Sequence, residues 1–320
     1  MRSIAWSALV LTGLAAAQAA PPPNNLFSNN PGLKSTAKGP PGDRVVLVSK
    51  EIGEFIYWIG AENQLIARDL TTVYPPQILK KTSIGYHRAL SADGIISLHP
   101  SVFLTDGNFG PPAVGQQLQM VGVPIKIIRP GKGMAGAQQQ LLEVGRYFGR
   151  TARAEAVVAQ WKANMAKVMA ASKLWANRPK PRVVMVHFGQ AENVFLAVTG
   201  GTAAQIMQWA GGNNVMASAT KMERLTPELM ADAQPDVIVA NQLAFSRFGS
   251  AKAFTKMPGV ALTPAAKNLR IYEIKQGKVI YFGPRTPAAI MQLAQYFHPN
   301  VFKAHPELVA LYQQLLKEQP

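Results

Sequence analysis

The sequence predicts an α/β protein of two doubly wound lobes, joined by one long rigid helix and separated by a ligand cleft. Three observations point to this fold. Short β-branched runs alternate with helical segments along the chain, as in open α/β sheets. One pattern of short helix, proline and strand occurs twice, which indicates two similar lobes. Between the two occurrences, residues 151–177 contain neither Gly nor Pro, which is typical of a long uninterrupted helix.

The first 43 residues are predicted to precede the fold. Residues 1–19 have the features of a cleavable export signal: a positive charge at Arg2, an apolar stretch, and the small residues Ala17 and Ala19. Residues 20–43 are rich in Pro, Gly and Asn and predict a flexible leader. The chain has no cysteine, which excludes disulfides, thiolate metal sites and a lipid-modified N-terminal cysteine. We therefore expect a soluble protein of the periplasm that is not anchored to lipid.

The composition narrows the choice of partners. Hydrophobic residues make up 48% of the chain and charged residues 16%, as in globular proteins. The formal net charge is +16, yet no run of Lys and Arg exceeds two residues, so a nucleic-acid partner is not expected. A basic surface that attracts an anionic ligand would explain this net charge. The alternative explanation is that the proteins of the source organism are generally basic.

The first lobe is predicted over residues 44–150. Its β-branched strands are typical of a parallel sheet that is covered on both faces. The predicted elements are a strand over 44–48, a helix over 51–59, a strand over 65–67, a helix over 111–121 and a strand over 124–128.

Residues 84–90 (Ile-Gly-Tyr-His-Arg-Ala-Leu) organise this lobe. Ser91 is the expected N-cap of a short helix that follows them, and a buried strand over 101–105 comes after the helix. We therefore expect Tyr86 and Arg88 on a loop, at the place where open α/β sheets present ligand-binding groups.

Residues 151–177 are predicted to connect the lobes. Their apolar side chains recur at steps of three and four, which gives the helix one apolar face. About 25 residues at ~1.5 Å each form a rod of roughly 37 Å, long enough to run from one lobe to the other.

The second lobe is predicted over residues 178–320. Here the early pattern returns, because Asp93 lies seven residues before Pro100 and Glu228 lies seven residues before Pro235. The predicted elements are strands over 182–186, 194–198 and 236–239, a late strand pair over 271–274 and 278–281, and helices that end near 211, 297 and 316.

Several segments together resemble the haem (hemin) substrate-binding proteins of bacterial ABC importers, from about residue 43 to 300. The resemblance implies two α/β lobes joined by a rigid helix, with haem held in the cleft as transported ligand. It also implies a monomer that performs no chemistry and meets the membrane only through an inner-membrane permease dimer. The segments are Gly85-Tyr86-x-Arg88-x-Leu90-Ser91-Ala92, Gly201-Thr202-Ala203-Ala204, Ala210-Gly211-Gly212-x-Asn214, Leu225-Thr226-Pro227-Glu228, residues 258–265 and Gly283-Pro284-Arg285-Thr286-Pro287.

The resemblance places the haem iron ligand at Tyr86. A phenolate is a hard anionic oxygen donor that suits ferric iron, and the family's tyrosine ligand falls on this position. Arg88, two residues on, can hydrogen-bond the phenolate or a haem propionate. His87 is the neighbouring candidate, but adjacent side chains in extended backbone point to opposite sides, so we expect it to point away. A loop tyrosine that packs on the cleft wall is the alternative.

Four residues of the second lobe are further candidate haem contacts. His187 closes a predicted strand and can reach the cleft; a buried histidine with hydrogen-bond partners is the alternative. Many relatives carry Gly-Tyr where this chain has Lys221 and Met222, so no second tyrosine is expected there. Met222 is then a hydrophobic wall for the porphyrin, and Lys221 or Arg224 can meet a propionate.

Asp93 and Glu228 are the acids of the repeated pattern. Each is expected in the first turn of a helix, where the helix dipole stabilises a carboxylate by ~0.3–1 kcal/mol. In relatives, acids at these two sites look like the contacts that dock each lobe onto arginines of a two-fold symmetric permease. The resemblance therefore implies that both acids face this partner.

Two other function classes stay open. The first is a binding protein of the same architecture for another iron chelate or a corrinoid, for which Tyr86 need not bind the metal. The second is a two-lobed α/β enzyme, which is opposed by the lack of a P-loop, a G-x-S-x-G turn and an H-E-x-x-H motif. Residues 131–136 fit G-x-G-x-x-G but do not follow the first strand, so a dinucleotide site is not expected.

Overall fold

The computed structural model describes residue 30 and residues 32–189, 194–218 and 220–320. The predicted export signal and the first part of the leader lie outside the described residues. The described chain forms two α/β lobes, each with its own sheet, joined by a long helical segment. The predicted fold class is confirmed.

The first lobe contains a five-stranded parallel sheet in the order β3-β2-β1-β4-β5. Strand β1 lies at its centre and is buried on both faces, which explains its β-branched sequence. Val45 and Leu47 pack towards α1 and α4, whereas Val46 and Val48 pack towards α2 and α3. The elements are β1 (Val45–Val48), α1 (Lys50–Trp58), β2 (Leu65–Arg68), β3 (Thr82–Ser83), α2 (Ala92–Ile96), β4 (Val102–Thr105), α3 (Ala113–Met120), β5 (Ile125–Ile127) and α4 (Gly133–Tyr147).

The lobes are joined by α5 (Thr151–Ala171) and α6 (Lys173–Ala176), with a short break at Ser172. The amide of Ser172 still donates to the Val168 carbonyl, so the segment continues almost as one helix. Its first apolar side chains, including Val158, join the first lobe's core, and later ones, including Trp161, join the second lobe's core. One helix therefore supplies side chains to both cores.

The second lobe has a mixed sheet in the order β11-β10-β6-β7-β9, with β8 beside β6. Strands β6, β10 and β11 are parallel, β7 runs antiparallel to β6, and β9 runs antiparallel to β7. The predicted strand over 278–281 is wrong, because a 3-10 turn at Gln276–Lys278 leads into a loop there. The elements are β6 (Arg182–Gly189), β7 (Val194–Val198), α7 (Gly201–Trp209), β8 (Asn213–Asn214), β9 (Met222–Arg224), α8 (Pro227–Ala233), β10 (Val237–Asn241), α9 (Gln242–Phe248), α10 (Ala251–Phe254), α11 (Pro264–Lys267), β11 (Ile271–Ile274), α12 (Thr286–Phe297), α13 (Pro299–Ala304) and α14 (Pro306–Lys317).

The predicted flexible leader needs correction for residues 32–43, which pack on the first lobe. The amides of Thr36 and Ala37 donate to the Ile125 carbonyl, and Ser35 Oγ accepts from the Ile127 amide at 2.9 Å. This segment therefore covers β5, the edge strand of the sheet, whose polar backbone would otherwise be open to other chains. Within the described part of the chain, no helix combines the length and the apolar character that a membrane span needs.

The repeated pattern of the sequence is a repeated structure. Ser91 caps α2 by accepting from the Gly94 amide, and Thr226 caps α8 by accepting from the Leu229 amide. Each helix leads to the strand that pairs with the first strand of its lobe, β4 with β1 and β10 with β6. The expected N-cap at Ser91 is therefore confirmed, as are the expected positions of Asp93 and Glu228 in the first turn of a helix.

An arginine anchors each copy, which the sequence pattern did not indicate. The guanidinium of Arg44 donates to the carbonyls of Leu98 and His99, in the turn that follows α2. The guanidinium of Arg182 donates to the carbonyls of Ala233 and Gln234 at the end of α8. Each arginine thus fixes the chain where it leaves a short helix, and Arg182 also satisfies the Ala233 carbonyl, which the end of α8 leaves without a helical partner.

Candidate functional site

The candidate site lies where the carboxyl edges of the two sheets approach each other. Helix α1 starts at the carboxyl end of β1, and residues 275–285 follow β11. These segments meet, because Tyr281 and Arg285 both donate to Glu54 on α1. Parallel strands present their carboxyl ends at one edge of a sheet, so groups at these edges face the cleft between the lobes.

Tyr86 lies on the loop between β3 and α2, as the sequence predicts. Gly85 adopts φ +93°, a left-handed conformation that favours glycine, and its carbonyl accepts from the Leu70 amide at 2.7 Å. The carbonyl of His87 accepts from the Gly110 amide at 2.8 Å. These backbone bonds fix the loop on both sides of Tyr86. The side chains of Tyr86 and Arg88 are half-buried.

His87 is more buried than Tyr86, with an exposed fraction of 9%. Its Nδ1 lies 3.4 Å from Thr71 Oγ1, and that hydroxyl donates to the buried Asp69 carboxylate. Because the Thr71 hydroxyl is already a donor, His87 Nδ1 donates to it. The His87 ring also packs edge-on against Tyr86, with centroids 4.7 Å apart. These contacts hold His87 in the lobe beside Tyr86.

The second lobe brings His187 and Met222 into one hollow, together with Asn241. His187 pairs with Leu196 on β7, and Leu196 pairs with Arg224 on β9. Residues paired across antiparallel strands share a sheet face, so His187, Met222 and Arg224 lie on the same face. Three of the four second-lobe candidates thus share one surface.

Lys221 and Arg224 are exposed. The backbone carbonyl of Lys221 accepts from the amides of Thr199 and Gly200, which fixes the start of β9. A Cβ added at Gly201 would lie 3.6 Å from the Lys221 side chain, so this side chain runs along the start of α7.

A buried ion pair between the lobes was not predicted from the sequence. Arg285 Nε donates to Glu54 at 2.9 Å, and the Tyr281 hydroxyl donates to Glu54 Oε2 at 2.9 Å. The Arg285 guanidinium also lies 3.5 Å from the centroid of the Tyr74 ring. A signal was present, because Glu54 belongs to the mostly apolar segment Ile52–Ile56, which is buried throughout, and a buried carboxylate needs a partner.

Burial also shifts the pKa values of other titratable groups, at the carboxyl edge of the first sheet and beside Arg285. Burial, reinforced by Asp106 and Glu54, raises the pKa of Glu51. Burial also raises the pKa of Asp106 to about 6, against hydrogen bonds from Asn108 and Ser49 that lower it. Burial lowers the pKa of Lys278 to about 8, and the nearby Arg285 contributes to this shift. These buried positions therefore disfavour uncompensated charge.

Asp93 and Glu228 occupy matching places on α2 and α8, and both side chains are exposed. Hydrogen bonds from its own amide and from the Thr226 hydroxyl lower the pKa of Glu228. A carboxylate in the first turn of a helix is stabilised in this way. Among the described residues, no group of three or more His, Asp and Glu side chains is arranged to hold a metal ion.

Comparisons with known proteins agree with this architecture. The solved apo structure of the periplasmic heme-binding protein RhuT from Roseiflexus sp. RS-1 is 29% identical, with a TM-score of 0.73 over 81% of this chain and 99% of that chain. A periplasmic heme-binding protein from Pseudomonas aeruginosa is 25% identical, with a TM-score of 0.69 over 80% and 93%. The vitamin B12-binding protein of Pectobacterium atrosepticum is 22% identical over 198 residues, 61% of this chain and 70% of that protein.

A family model describes most of the chain. The model of the periplasmic binding proteins matches residues 45–277, from the first strand of the first lobe to the segment that follows β11. This match covers the first lobe, the helix between the lobes and the second lobe as far as residue 277. The chain belongs to the periplasmic binding protein family.

Proposed function

We propose that the protein binds haem in the cleft between its lobes and delivers it to an inner-membrane ABC transporter for haem and iron uptake. The observation that carries the proposal is the position of Tyr86, half-buried on a fixed loop at the carboxyl edge of the first sheet. A phenolate is a ligand that ferric haem accepts in proteins. The similarity to two haem-binding proteins at 25% and 29% identity supports this ligand class.

The surroundings of Tyr86 fit a porphyrin. Arg88 carries a positive charge two residues away, which favours the anionic form of a phenol. Leu70 and Val73 are exposed apolar side chains with exposed fractions of 55% and 46%. Leu70 is hydrogen-bonded to Gly85 through its backbone, so it lies beside the Tyr86 loop. A flat apolar ligand would cover these side chains.

The second lobe supplies complementary groups. Met222 offers an apolar, polarisable surface to a porphyrin face. Lys221 and Arg224 are exposed cations that can pair with propionates, and Arg88 is a third candidate. The net charge of +16 favours approach of an anionic ligand.

The remaining features follow from the same proposal. The protein is exported to the periplasm through the signal at residues 1–19, and it acts as a monomer that performs no chemistry on its ligand. A corrinoid is the second candidate ligand, favoured by the similarity to a vitamin B12-binding protein. Tyr86 distinguishes the two ligands, because haem offers ferric iron that a phenolate can bind.

Optical titration tests the ligand. The protein without residues 1–19, mixed with hemin, is expected to give a saturable Soret shift and a phenolate-to-iron charge-transfer band. Cyanocobalamin, added as competitor, is expected to leave the hemin spectrum unchanged. Displacement of hemin by cyanocobalamin, or the lack of any hemin spectrum, would show that the ligand assignment is wrong.

We propose that Asp93 and Glu228 dock the two lobes onto the permease. Changing both residues to alanine is expected to leave hemin affinity and folding near those of the unmodified protein, because both side chains are exposed. Haem transport by the reconstituted importer should fall, since charged contacts set the orientation of docking. Glu307→Ala is the matched control: this acid is also exposed and in a first helical turn, on α14 outside the repeated unit. Unchanged transport by the double variant would leave only the helix-dipole role.

A further inference from the structure

Asn241 holds the wall of the second lobe in one hydrogen-bond pattern. It is the last residue of β10 and the N-cap of α9, and its exposed fraction is 3%. Its Oδ1 accepts from the backbone amides of Phe188 and Ala244, each at 3.1 Å. Its Nδ2 donates to the Phe188 carbonyl at 3.2 Å. A backbone amide can only donate and a carbonyl can only accept, so these three bonds fix which end of the side chain is oxygen.

The orientation of Asn241 determines the tautomer of His187. Nδ2 of Asn241 lies 3.0 Å from Nδ1 of His187. Because an amide nitrogen is a donor only, His187 Nδ1 must be the acceptor. A neutral imidazole carries one proton, and that proton is then on Nε2. Rotating the amide would turn the Asn241 nitrogen towards two backbone donors, so the alternative tautomer has no favourable arrangement.

We propose that His187 acts on the haem as a hydrogen-bond donor through Nε2–H, and that it does not bind the iron. A protonated Nε2 has no lone pair for a metal. This inference rests on the proposed haem-binding function, and it gives the second lobe a role in it. Tyr86 supplies the iron ligand from one lobe, and His187 supplies a hydrogen-bond donor from the other. The recognised chemistry is an acceptor oxygen, either a propionate carboxylate or an oxygen ligand on the iron.

The position of His187 suits this role. It is half-buried and lines the same hollow as Met222, the proposed porphyrin contact. It also shares a sheet face with Arg224, a candidate partner of a propionate. Asn241 thus acts as a positioning residue, because it does not need to touch haem to fix what His187 can offer.

The tautomer can be read in the protein without haem. Long-range proton–nitrogen correlation spectra of the imidazole rings distinguish a proton on Nε2 from one on Nδ1, and His187→Gln identifies the signals of this ring. We expect His187 to carry its proton on Nε2 near neutral pH. A proton on Nδ1 would overturn the inference. This result does not depend on haem, so it separates a failure of the inference from a failure of the proposed function.

A single substitution is expected to change His187 from a hydrogen-bond donor into an iron ligand. In Asn241→Asp, a carboxylate oxygen faces His187 Nδ1 and accepts its proton, which leaves a lone pair on Nε2. Aspartate is also a good N-cap, so α9 should keep its start. The hemin complex is then expected to gain a nitrogen ligand and a low-spin spectrum, and adding His187→Phe should remove that ligand. A spectrum that Asn241→Asp leaves unchanged would contradict the proposal, as would a nitrogen ligand already present in the unmodified protein.

Losing the hydrogen bond between His187 and haem should lower the affinity for hemin. His187→Phe is expected to weaken hemin binding about tenfold, the typical effect of losing a hydrogen bond to a charged group. His187→Gln keeps an N–H donor and should recover most of the loss. With hemin dimethyl ester, the difference between the variants disappears if the acceptor is a propionate and persists if it is an iron-bound oxygen. Equal hemin affinities of the unmodified protein and His187→Phe would oppose the proposal.

Discussion

Tyr86→Phe is expected to abolish the phenolate-to-iron charge-transfer band and to weaken ferric haem binding by ~100-fold or more. Changing a residue that only supports a metal ligand already costs roughly 10–100-fold in metal affinity, and this change removes the ligand itself. The ring of Phe can keep the edge-on contact with His87, so the loop should stay in place. Hemin titration followed by absorption and resonance Raman spectroscopy would measure both effects.

Tyr74→Phe is the matched control, because it removes the same hydroxyl from a tyrosine of the same lobe that packs on Arg285. It should keep the band. Arg88→Ala should weaken binding less than Tyr86→Phe, and its band should disappear at a higher pH on acid titration, since the cation no longer favours the phenolate. A band that survives Tyr86→Phe and is lost in His87→Ala would make histidine the ligand.

Glu54→Ala is expected to lower the free energy of unfolding by about 3–5 kcal/mol, the usual cost of removing one partner of a buried ion pair. The change leaves the guanidinium of Arg285, a residue with an exposed fraction of 2%, without its carboxylate between the lobes. Guanidinium chloride unfolding, followed by circular dichroism, would measure the loss. The double change Glu54→Leu with Arg285→Met should cost less, because it leaves no buried charge.

Glu143→Ala is the control for Glu54→Ala. Glu143 also forms an ion pair, with Lys126 at 3.0 Å, but both side chains are partly exposed to solvent. Exposed pairs contribute about 0–1 kcal/mol, so this variant should unfold at nearly the same denaturant concentration as the unmodified protein. Equal losses for Glu54→Ala and Glu143→Ala would mean that burial does not set the strength of the pair between the lobes.

Local signals explain what the sequence predicts well. Ser91 and Thr226 are N-caps whose hydroxyls bond to amides three residues later, so a short window contains the whole interaction. The long helix over 151–177 follows from periodicity in the same way. Pairing of distant strands has no such signal, which is why the antiparallel β7 and β9 and the packed residues 32–43 were not predicted.

In the candidate site, too, features set by neighbouring residues could be predicted, and features set by distant residues could not. The Tyr86 loop could be predicted because Gly85 and the helix start at Ser91 bracket it in sequence. The fixed orientation of His187 could not, since it depends on Asn241, 54 residues away. The ion pair of Glu54 and Arg285 joins residues 231 positions apart, and the sequence indicates it only through a carboxylate within the mostly apolar segment Ile52–Ile56.

The helix that joins the lobes has a consequence for folding cooperativity. Val157 and Val158 complete one core, and Trp161, Met165 and Val168 complete the other, within a few turns of the same helix. Losing this helix would expose apolar surface in both lobes at once. Neither lobe can therefore unfold alone at a low free-energy cost. The two lobes should therefore unfold as a single thermodynamic unit, although proteins of two domains commonly do not.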